Sequence, residues 1–248
     1  MSAYPKSISN TEHSLINSLV EKYRAEQATF QGVAEALHLL LTSHPELKQL
    51  VHSSKFRAKD SEHLRDKLLR KLADAKEAGR PFGVTPGNLF TKITDLAGVR
   101  LLHLHTEQMT QMHPLIVKVL KDNMYSLVED PTAHTWDDEY RAYFKKLGIK
   151  SKPHVSMYTS VHYVLAANNR IRSRCELQVR TLMEEVWGEV SHQLNYPHET
   201  KSLACQEQLK VLARLASSGT RLVDAIVESD LEYRALSERI ARKRKEGR

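Results

Sequence analysis

The amino-acid sequence predicts an α+β (α/β) fold, in which a β-sheet is flanked by helices. Apolar residues at three- and four-residue spacing, typical of amphipathic helices, occupy both ends of the 248-residue chain. The middle of the chain instead carries runs of alternating polar and apolar residues, as half-buried strands do. We therefore expect an N-terminal helical extension over residues 1–50, a sheet-containing domain over 51–197, and C-terminal helices with a basic tail over 198–248.

The elements of the first half follow from spacing and from loop-forming residues. Helical spacing covers residues 11 to about 50 and residues 61–78. Five Gly and Pro residues within 79–90 predict a loop. An apolar stretch then predicts a strand region over 93–105, and a further helix is expected over 109–122.

The second half holds a polar segment, a hairpin and more helices. Residues 128–157 are polar and mixed, which predicts a long loop with one short helix at about 137–146. Residues 158–180 predict a hairpin whose second strand begins at Ile171 after a short connection. From residue 182 onward we expect helices.

Composition limits the classes of partner. The net charge of +7 and the isoelectric point near 9.3 favour anionic partners such as nucleotides, RNA or acidic protein surfaces. Two cysteines are too few for a disulfide framework or a zinc site. No apolar run could cross a bilayer, and the polar start lacks the apolar stretch of a signal peptide. We expect a cytoplasmic protein that binds neither membranes nor DNA.

The second strand of the predicted hairpin has one strongly polar face. Side chains alternate along a strand, so its apolar residues point into the core while the polar ones share the other face. Either this polar face is solvated, or it is the floor of a site that handles phosphates and a metal. The polar residues are Arg172, Arg174, Glu176, Gln178 and Arg180.

A basic stripe is expected on the helix over residues 61–78. His63, Lys67 and Arg70 fall on one side of that helix, and Arg57 and Lys59 precede it. Like charges at helical spacing repel each other, so the stripe either is solvated or holds an anion. The second reading makes it a cradle for a triphosphate.

Two further groups of residues complete the candidate site. Asp95 lies where a loop enters an apolar strand, and its carboxylate is either a cap or a hard oxygen ligand suited to Mg²⁺. Tyr158, Ser160 and His162 share one strand face, which is either half-exposed or suited to a nucleobase and its sugar. With Glu176, these groups fit phosphoryl-type transfer, which depends on positioning and charge neutralisation.

In this order the motifs resemble the synthetase domain of the RelA/SpoT family, small alarmone synthetase type. The similarity covers roughly residues 50–197. The later Trp187, His192 and Tyr196 also resemble the family pattern. The motifs that carry the resemblance are Arg-x-Lys with its basic helix, Asp-Leu-Ala-Gly-Val-Arg, Tyr-x-Ser-x-His-Tyr and Glu-Leu-Gln-Val-Arg-Thr.

The resemblance implies a fold, a reaction and roles for the residues. The fold would be a nucleotidyltransferase-like mixed β-sheet of about five strands. The reaction would move the β,γ-pyrophosphate of ATP to the ribose 3′-hydroxyl of GDP or GTP, giving (p)ppGpp, with Mg²⁺ as cofactor. Asp95 and Glu176 would be catalytic and hold the metal. ATP would be bound by Arg57, Lys59, His63, Lys67 and Arg70. The acceptor would be bound by Tyr158, Ser160, His162, Gln178 and Arg180.

The sequence departs from the family pattern at three positions. His63 stands where the family usually has Ser, Met157 where it has Gly before the stacking Tyr, and Pro197 where it often has Lys. By this resemblance, Met157 would lie beside the acceptor base. The alternatives are therefore a toxin-like relative that modifies adenine nucleotides or the 3′ end of tRNA, and an inactive nucleotide- or RNA-binding regulator.

Further expectations concern the flanks. About 50 residues before the synthetase core are too few for the hydrolase of long family members, so we expect synthesis without degradation. The apolar spacing over 205–245 predicts packing onto the domain, a homo-oligomer interface such as a tetramer, or a surface for an antitoxin protein.

Overall fold

The computed structural model describes residues 8–154, 156–195 and 199–246, with side chains up to residue 243. The sequence-based expectations for Tyr196 and Pro197 lie outside these ranges. None of the helices in these ranges has an apolar stretch of the length that spanning a bilayer requires.

Eight α-helices surround the sheet in the described ranges, and a short 3₁₀ helix covers Thr106–Gln108. They confirm helices at both ends of the chain. Their bounds are α1 Asn10–Ser43, α2 Pro45–Leu50, α3 Ser61–Glu77, α4 Leu89–Lys92, α5 Met109–Asp122, α6 Asp138–Lys146, α7 Leu182–Asn195 and α8 Leu203–Glu246.

Seven described strands form one mixed sheet in the order β1-β2-β7-β6-β4-β5, with β3 paired to β6. The pairs β2–β7 and β4–β5 are parallel, and the other pairs are antiparallel. The mixed sheet with its helices confirms the expected fold class. The strands are β1 Ser53–Ala58, β2 Ala97–His103, β3 Ser126–Leu127, β4 Thr132–Thr135, β5 Lys150–Pro153, β6 Thr159–Ala166 and β7 Arg174–Thr181.

The apolar face of the sheet forms the core with α1 and α5. Val99, Leu177 and Tyr163 lie side by side on β2, β7 and β6, and all three are buried. The helix α1 covers this face with residues at helical spacing, among them the fully buried Phe30 and Leu37. Each such side chain stabilises the fold by roughly 1.5–3 kcal/mol relative to leaving it exposed. The sheet is therefore anchored on one side, which leaves the opposite, polar face for a site.

Two sequence-based expectations are wrong in detail, and one strand was missed. The hairpin's second strand begins at Arg174 and not at Ile171, because Arg172 adopts a left-handed backbone with φ +47° in the preceding turn. Arg172 therefore does not lie on the strand face with Glu176. The segment 128–157 is not a long loop, since it contains β4, α6 and β5. The strand β1 was not foreseen at all, because Phe56 is its only large apolar residue.

Candidate active site

The register of the strands gathers the polar residues on one face of the sheet. Arg57 on β1 pairs with Gly98 on β2, and Gly98 pairs with Glu176 on β7. In the next row, Arg100 of β2 lies beside Gln178 of β7, which pairs with His162 of β6. Because paired residues point to the same side of a sheet, these side chains share one surface. This arrangement brings together residues more than 100 positions apart.

The carboxylate of Asp95 lies in the turn before β2, between two lysines. The Nζ of Lys59 is 3.0 Å from Asp95 Oδ2, and the Nζ of Lys67 is 2.8 Å from Oδ1. Burial would raise the pKa of Asp95, but the two lysines outweigh it and lower the pKa to about 2. Asp95 is therefore ionised at neutral pH.

Two hydrogen bonds from α1 hold the backbone carbonyl of Lys59. The Tyr23 hydroxyl on α1 donates to the Lys59 carbonyl at 2.5 Å, and the Gln27 amide donates to the same oxygen at 3.2 Å. These hydrogen bonds connect the N-terminal helix to the lysine that contacts Asp95. Sequence analysis did not single out Tyr23 or Gln27, because their partner is a backbone atom 32 to 36 residues away.

Both oxygens of the Glu176 carboxylate have hydrogen-bond partners. His162 Nδ1 lies 3.1 Å from Oε1, and the Gln178 amide donates to Oε2 at 2.9 Å. Burial and the charge of Asp95 raise the pKa of Glu176, but its bonds to His162 and Gln178 lower it below its usual value. The site therefore holds two ionised carboxylates that interact electrostatically.

Tyr158 stands at the centre of a ring of aromatic and cationic side chains, just before β6. Its hydroxyl lies 3.1 Å from His162 Nε2, and the Arg180 guanidinium lies over its ring at 5.5 Å from the centroid. The rings of His154 and Trp187 are 5.2 and 6.5 Å away, respectively. Tyr158 and His162 are thus brought together as expected.

Ser160 is brought to the same region but is not accessible. Its side chain is buried, and its hydroxyl donates to the Val179 carbonyl at 3.3 Å. The third residue of the predicted acceptor motif therefore joins two strands in this structure.

Met157 occupies a backbone position that favours glycine. Its φ is +56°, in the left-handed region that costs a side chain about 1–2 kcal/mol. Its side chain packs against the small cluster around Trp187 that also includes Leu212 of α8. The packing offsets the strain and attaches the segment before Tyr158 to the C-terminal helices.

The guanidinium of Arg180 is buried and paired with a carboxylate that sequence analysis missed. Glu185 of α7 contacts Arg180, and its carboxylate also accepts from Arg100 at 2.8 Å and Lys55 at 3.0 Å. The side chains of Arg180 and Glu185 are only 4% and 8% exposed. Burial would raise the pKa of Glu185, but Arg180, Lys55 and Arg100 lower it to about 2. The three basic partners of Glu185 lie 5 to 130 residues away from it in the sequence, so no local sequence pattern predicts these contacts.

Gly188 of α7 provides the space for this guanidinium. A Cβ at Gly188 would lie 2.7 Å from Arg180 Nη1, which is closer than side chains tolerate. A glycine inside a helix costs about 1 kcal/mol relative to alanine, so its presence here has a packing reason.

The basic stripe of α3 faces the same surface. Lys67 contacts Asp95, and the His63 ring lies 6.5 Å from the His192 ring of α7. Burial lowers the pKa of His192, and the charges of His63 and Arg57 lower it further. Arg57 and Arg70 are both exposed to solvent.

The donor set fits a hard divalent cation only in part. Among the described residues, no group of three or more His, Cys, Asp or Glu side chains is arranged to hold a metal ion. Asp95 and Glu176 supply two ionised carboxylates with oxygen donors, which is the usual protein share of a Mg²⁺ site completed by substrate phosphates. The site is therefore suited to a metal that is bound together with a phosphorylated substrate.

Comparisons with known proteins agree with this architecture. Residues 56–201 match the profile of a family described as a region found in RelA / SpoT proteins. No curated protein sequence matches the chain significantly.

Several solved structures share the fold at low identity. Small alarmone synthetase 1 from Bacillus subtilis is 17% identical, with a TM-score of 0.55, over 87% of this chain and 97% of that chain. The same protein bound to its product pppGpp is 16% identical, with a TM-score of 0.60, over 85% of this chain and 99% of that chain. A GTP pyrophosphokinase family protein from Streptococcus pneumoniae is 16% identical, with a TM-score of 0.51, over 92% of this chain and 98% of that chain. At these identities the similarity shows a common fold.

Proposed function

The chain belongs to the RelA/SpoT family, and from that membership we propose that it is an ATP:nucleotide 3′-pyrophosphokinase that makes (p)ppGpp from ATP and GDP or GTP. One observation carries the proposal. Two ionised carboxylates lie close enough to interact: Glu176 on the polar face of the sheet, and Asp95 in the turn before β2, where Lys59 and Lys67 of the ATP motif contact it. This is the charge distribution that phosphoryl-type transfer requires.

The basic residues of β1 and α3 bind the triphosphate. Lys59 and Lys67 exchange part of their contact with Asp95 for the β- and γ-phosphates, and the exposed arginines Arg57 and Arg70 bind further oxygens of the triphosphate. His63, on the same stripe of α3, adds a hydrogen-bond donor. Asp95 and Glu176 would hold Mg²⁺, which neutralises the phosphate charge when bound.

Glu176 takes the proton of the acceptor's 3′-hydroxyl. The oxygen of that hydroxyl forms a bond to the β-phosphorus of ATP, the bond from that phosphorus to the α–β bridging oxygen breaks, and AMP leaves. His162 and Gln178 keep the carboxylate of Glu176 oriented and ionised before this step. Tyr158 stacks on the acceptor base, and Arg180 supports its ring from one side.

A second acceptor class is favoured by one specific feature. Met157 fills space beside Tyr158 where the family pattern has glycine, and it is held in a left-handed backbone conformation. An adenine nucleotide or the 3′-terminal adenosine of tRNA presents the same ribose hydroxyl, so the chemistry is unchanged and only the base contact differs.

Transfer of label from γ-³²P-ATP tests the reaction and the acceptor together. The chain is incubated with Mg²⁺ and, in parallel, GDP, GTP, AMP, ADP or deacylated tRNA, and the products are separated by chromatography and gel electrophoresis. Label on a guanine nucleotide supports the proposal, and label on an adenine nucleotide or tRNA supports the second acceptor class. The absence of transfer to every acceptor contradicts both and favours a nucleotide- or RNA-binding regulator.

A further inference from the structure

Lys59 is a junction residue that belongs to neither of the elements beside it. The strand β1 ends at Ala58, and Asp60 is already the N-cap of α3. The Lys59 N–H donates to the Leu96 carbonyl at 2.9 Å, which joins the junction to the turn before β2. Among the described residues, the donors to the Lys59 carbonyl are two side chains of α1. The direction of this peptide group is therefore set by α1.

Three polar side chains of α1 form a ladder along this junction. Tyr23, Gln27 and Gln31 are spaced by four residues, so they lie on one side of the helix. The side-chain oxygen of Gln31 accepts from the Ala58 N–H at 2.8 Å, one residue before the carbonyl that Tyr23 and Gln27 hold. The ladder therefore fixes the backbone of two consecutive residues at the point where β1 ends.

Tyr23 is the fully buried member of the ladder. Its hydroxyl donates to the Lys59 carbonyl at 2.5 Å and lies 3.5 Å from the Leu96 carbonyl. Burial and the negative charges of Asp60 and Asp95 raise the pKa of Tyr23 above its usual value, so the hydroxyl keeps its proton. One hydroxyl therefore lies between the backbones of the two segments whose side chains form the Lys59–Asp95 ion pair.

A fixed backbone at Lys59 restricts where its ammonium group can lie. The Nζ of Lys59 is 3.0 Å from Asp95 Oδ2, and the lysine side chain is only 12% exposed. Lysine has a long, flexible stem, so its charge is held in one place only when the base of the stem is held as well. A displacement of about 1 Å in a site that positions reacting groups can cost about a hundredfold in rate. The hydrogen bonds from α1 are therefore a means of placing a charge.

We propose that α1 is part of the ATP site, with Tyr23 as a positioning residue that acts through Lys59. This role rests on the proposed function, because it requires Lys59 to contact the triphosphate. It extends the site beyond residues 56–201, which match the family profile, to a helix that ends at Ser43. Tyr23 takes no part in the chemistry. Its hydroxyl orients the Lys59 peptide group, so that the ammonium meets the phosphates already ordered.

Binding of a non-hydrolysable ATP analogue, measured by calorimetry without metal, tests this role. Tyr23→Phe removes only the hydroxyl and is expected to weaken binding about tenfold. The matched control is Tyr163→Phe, because Tyr163 is equally buried and its hydroxyl lies 2.9 Å from His113 Nδ1 of α5. A hydroxyl that only stabilises the fold would leave the affinity of the folded protein unchanged. Equal affinities of Tyr23→Phe and Tyr163→Phe overturn the proposal.

A double-mutant cycle tests whether Tyr23 acts through Lys59. Lys59→Met keeps most of the stem, removes the charge and is itself expected to weaken binding of the analogue. In that background, Tyr23→Phe is expected to change the affinity by less than about twofold, because the ammonium that the hydroxyl positions is gone. A full tenfold further loss in the double variant contradicts action through Lys59.

Steady-state kinetics separate the two substrates. Tyr23→Phe is expected to lower kcat/KM for ATP about tenfold and to leave the KM of the acceptor unchanged at saturating ATP. An equal change in the KM of the acceptor would indicate a general disturbance of the domain and would overturn a role confined to the ATP site.

Hydrogen exchange without nucleotide distinguishes failure of this role from failure of the proposed function. The Lys59 N–H is expected to exchange faster in Tyr23→Phe than in the parent or Tyr163→Phe, and unchanged exchange overturns the proposal. Faster exchange with unchanged affinity for the analogue would make the ladder purely structural, which also overturns the role but leaves the proposed function standing. A parent chain that does not bind the analogue contradicts the proposed function and the role of Tyr23 with it.

Discussion

The ion-pair cluster around Glu185 should make a large, pH-dependent contribution to stability. Its carboxylate is 8% exposed and contacts Arg180, Arg100 and Lys55 from three neighbouring strands. Lowering the pKa of Glu185 from 4.5 to about 2 corresponds to about 3 kcal/mol at neutral pH, at about 1.4 kcal/mol per pKa unit. The Glu185→Gln variant keeps the shape, removes the charge and leaves Arg180 buried without its counter-ion. We therefore expect it to lose about 3 kcal/mol of unfolding free energy at pH 7.

The direction of the pH dependence follows from the sign of the pKa change. A carboxylate whose pKa is lowered in the folded state stabilises the protein above its unfolded pKa, and the stabilisation is lost as the pH falls toward the folded pKa. The difference between the parent and Glu185→Gln should therefore be full at pH 6–7, shrink below about pH 4.5 and nearly vanish near pH 2.

Urea unfolding followed by circular dichroism between pH 7 and pH 3 measures this difference. Glu189→Gln is the matched control, because Glu189 lies one turn further on α7 and shares Lys55 and Arg100 but is 50% exposed. An exposed ion pair contributes about 0–1 kcal/mol, so the control should change little. Equal losses for the two variants, or a Glu185→Gln difference that stays constant down to pH 3, would refute the reasoning.

Further predictions concern the backbone strain at Met157, the packing at Gly188, metal binding at Asp95 and the buried carboxyl of Glu184. Met157→Gly should be about 1 kcal/mol more stable to urea than Met157→Ala, since both lose the side chain but only glycine relieves the left-handed backbone. Gly188→Ala should lower the unfolding free energy although alanine favours helix by about 1 kcal/mol, because its Cβ meets Arg180; a stabilised variant would contradict this packing. Electron paramagnetic resonance should show that Mn²⁺ binds the protein weakly alone and more tightly in the presence of a non-hydrolysable ATP analogue. Asp95→Asn should lose this increase in Mn²⁺ affinity. Tight Mn²⁺ binding without nucleotide would be contrary evidence. Burial raises the pKa of Glu184 to about 8, so Glu184→Gln should match the parent near pH 4 and exceed its unfolding free energy increasingly toward pH 9.

Alternation of side chains was enough to predict that Glu176 and Gln178 share the polar face of β7 and that Tyr158 and His162 lie on one side at the start of β6. Periodicity likewise identified α1 and α3, which each bury one apolar side, and α8, which buries apolar side chains only in its first part. These features are local, so a single sequence contains them.

Features that depend on distant partners could not be predicted in the same way. The residues of β5 are mostly exposed and polar, and they become a strand only because they pair with β4. The role of Glu185 depends on Lys55 and Arg100, which lie 130 and 85 residues earlier in the chain. The space at Gly188 is needed only once Arg180 is buried beside it.

The role of Glu176 as the base for pyrophosphate transfer is the central claim, and one paired measurement tests it most directly. The rate of label transfer from γ-³²P-ATP is compared for the parent, Glu176→Gln and the exposed control Glu129→Gln, together with the affinity of each for a non-hydrolysable ATP analogue. We expect Glu176→Gln to lose at least about a hundredfold in rate, the usual range for removing a general base. Its affinity for the analogue, measured without metal so that the lost carboxylate ligand has no effect, should match that of the parent. Full transfer by Glu176→Gln would contradict the account.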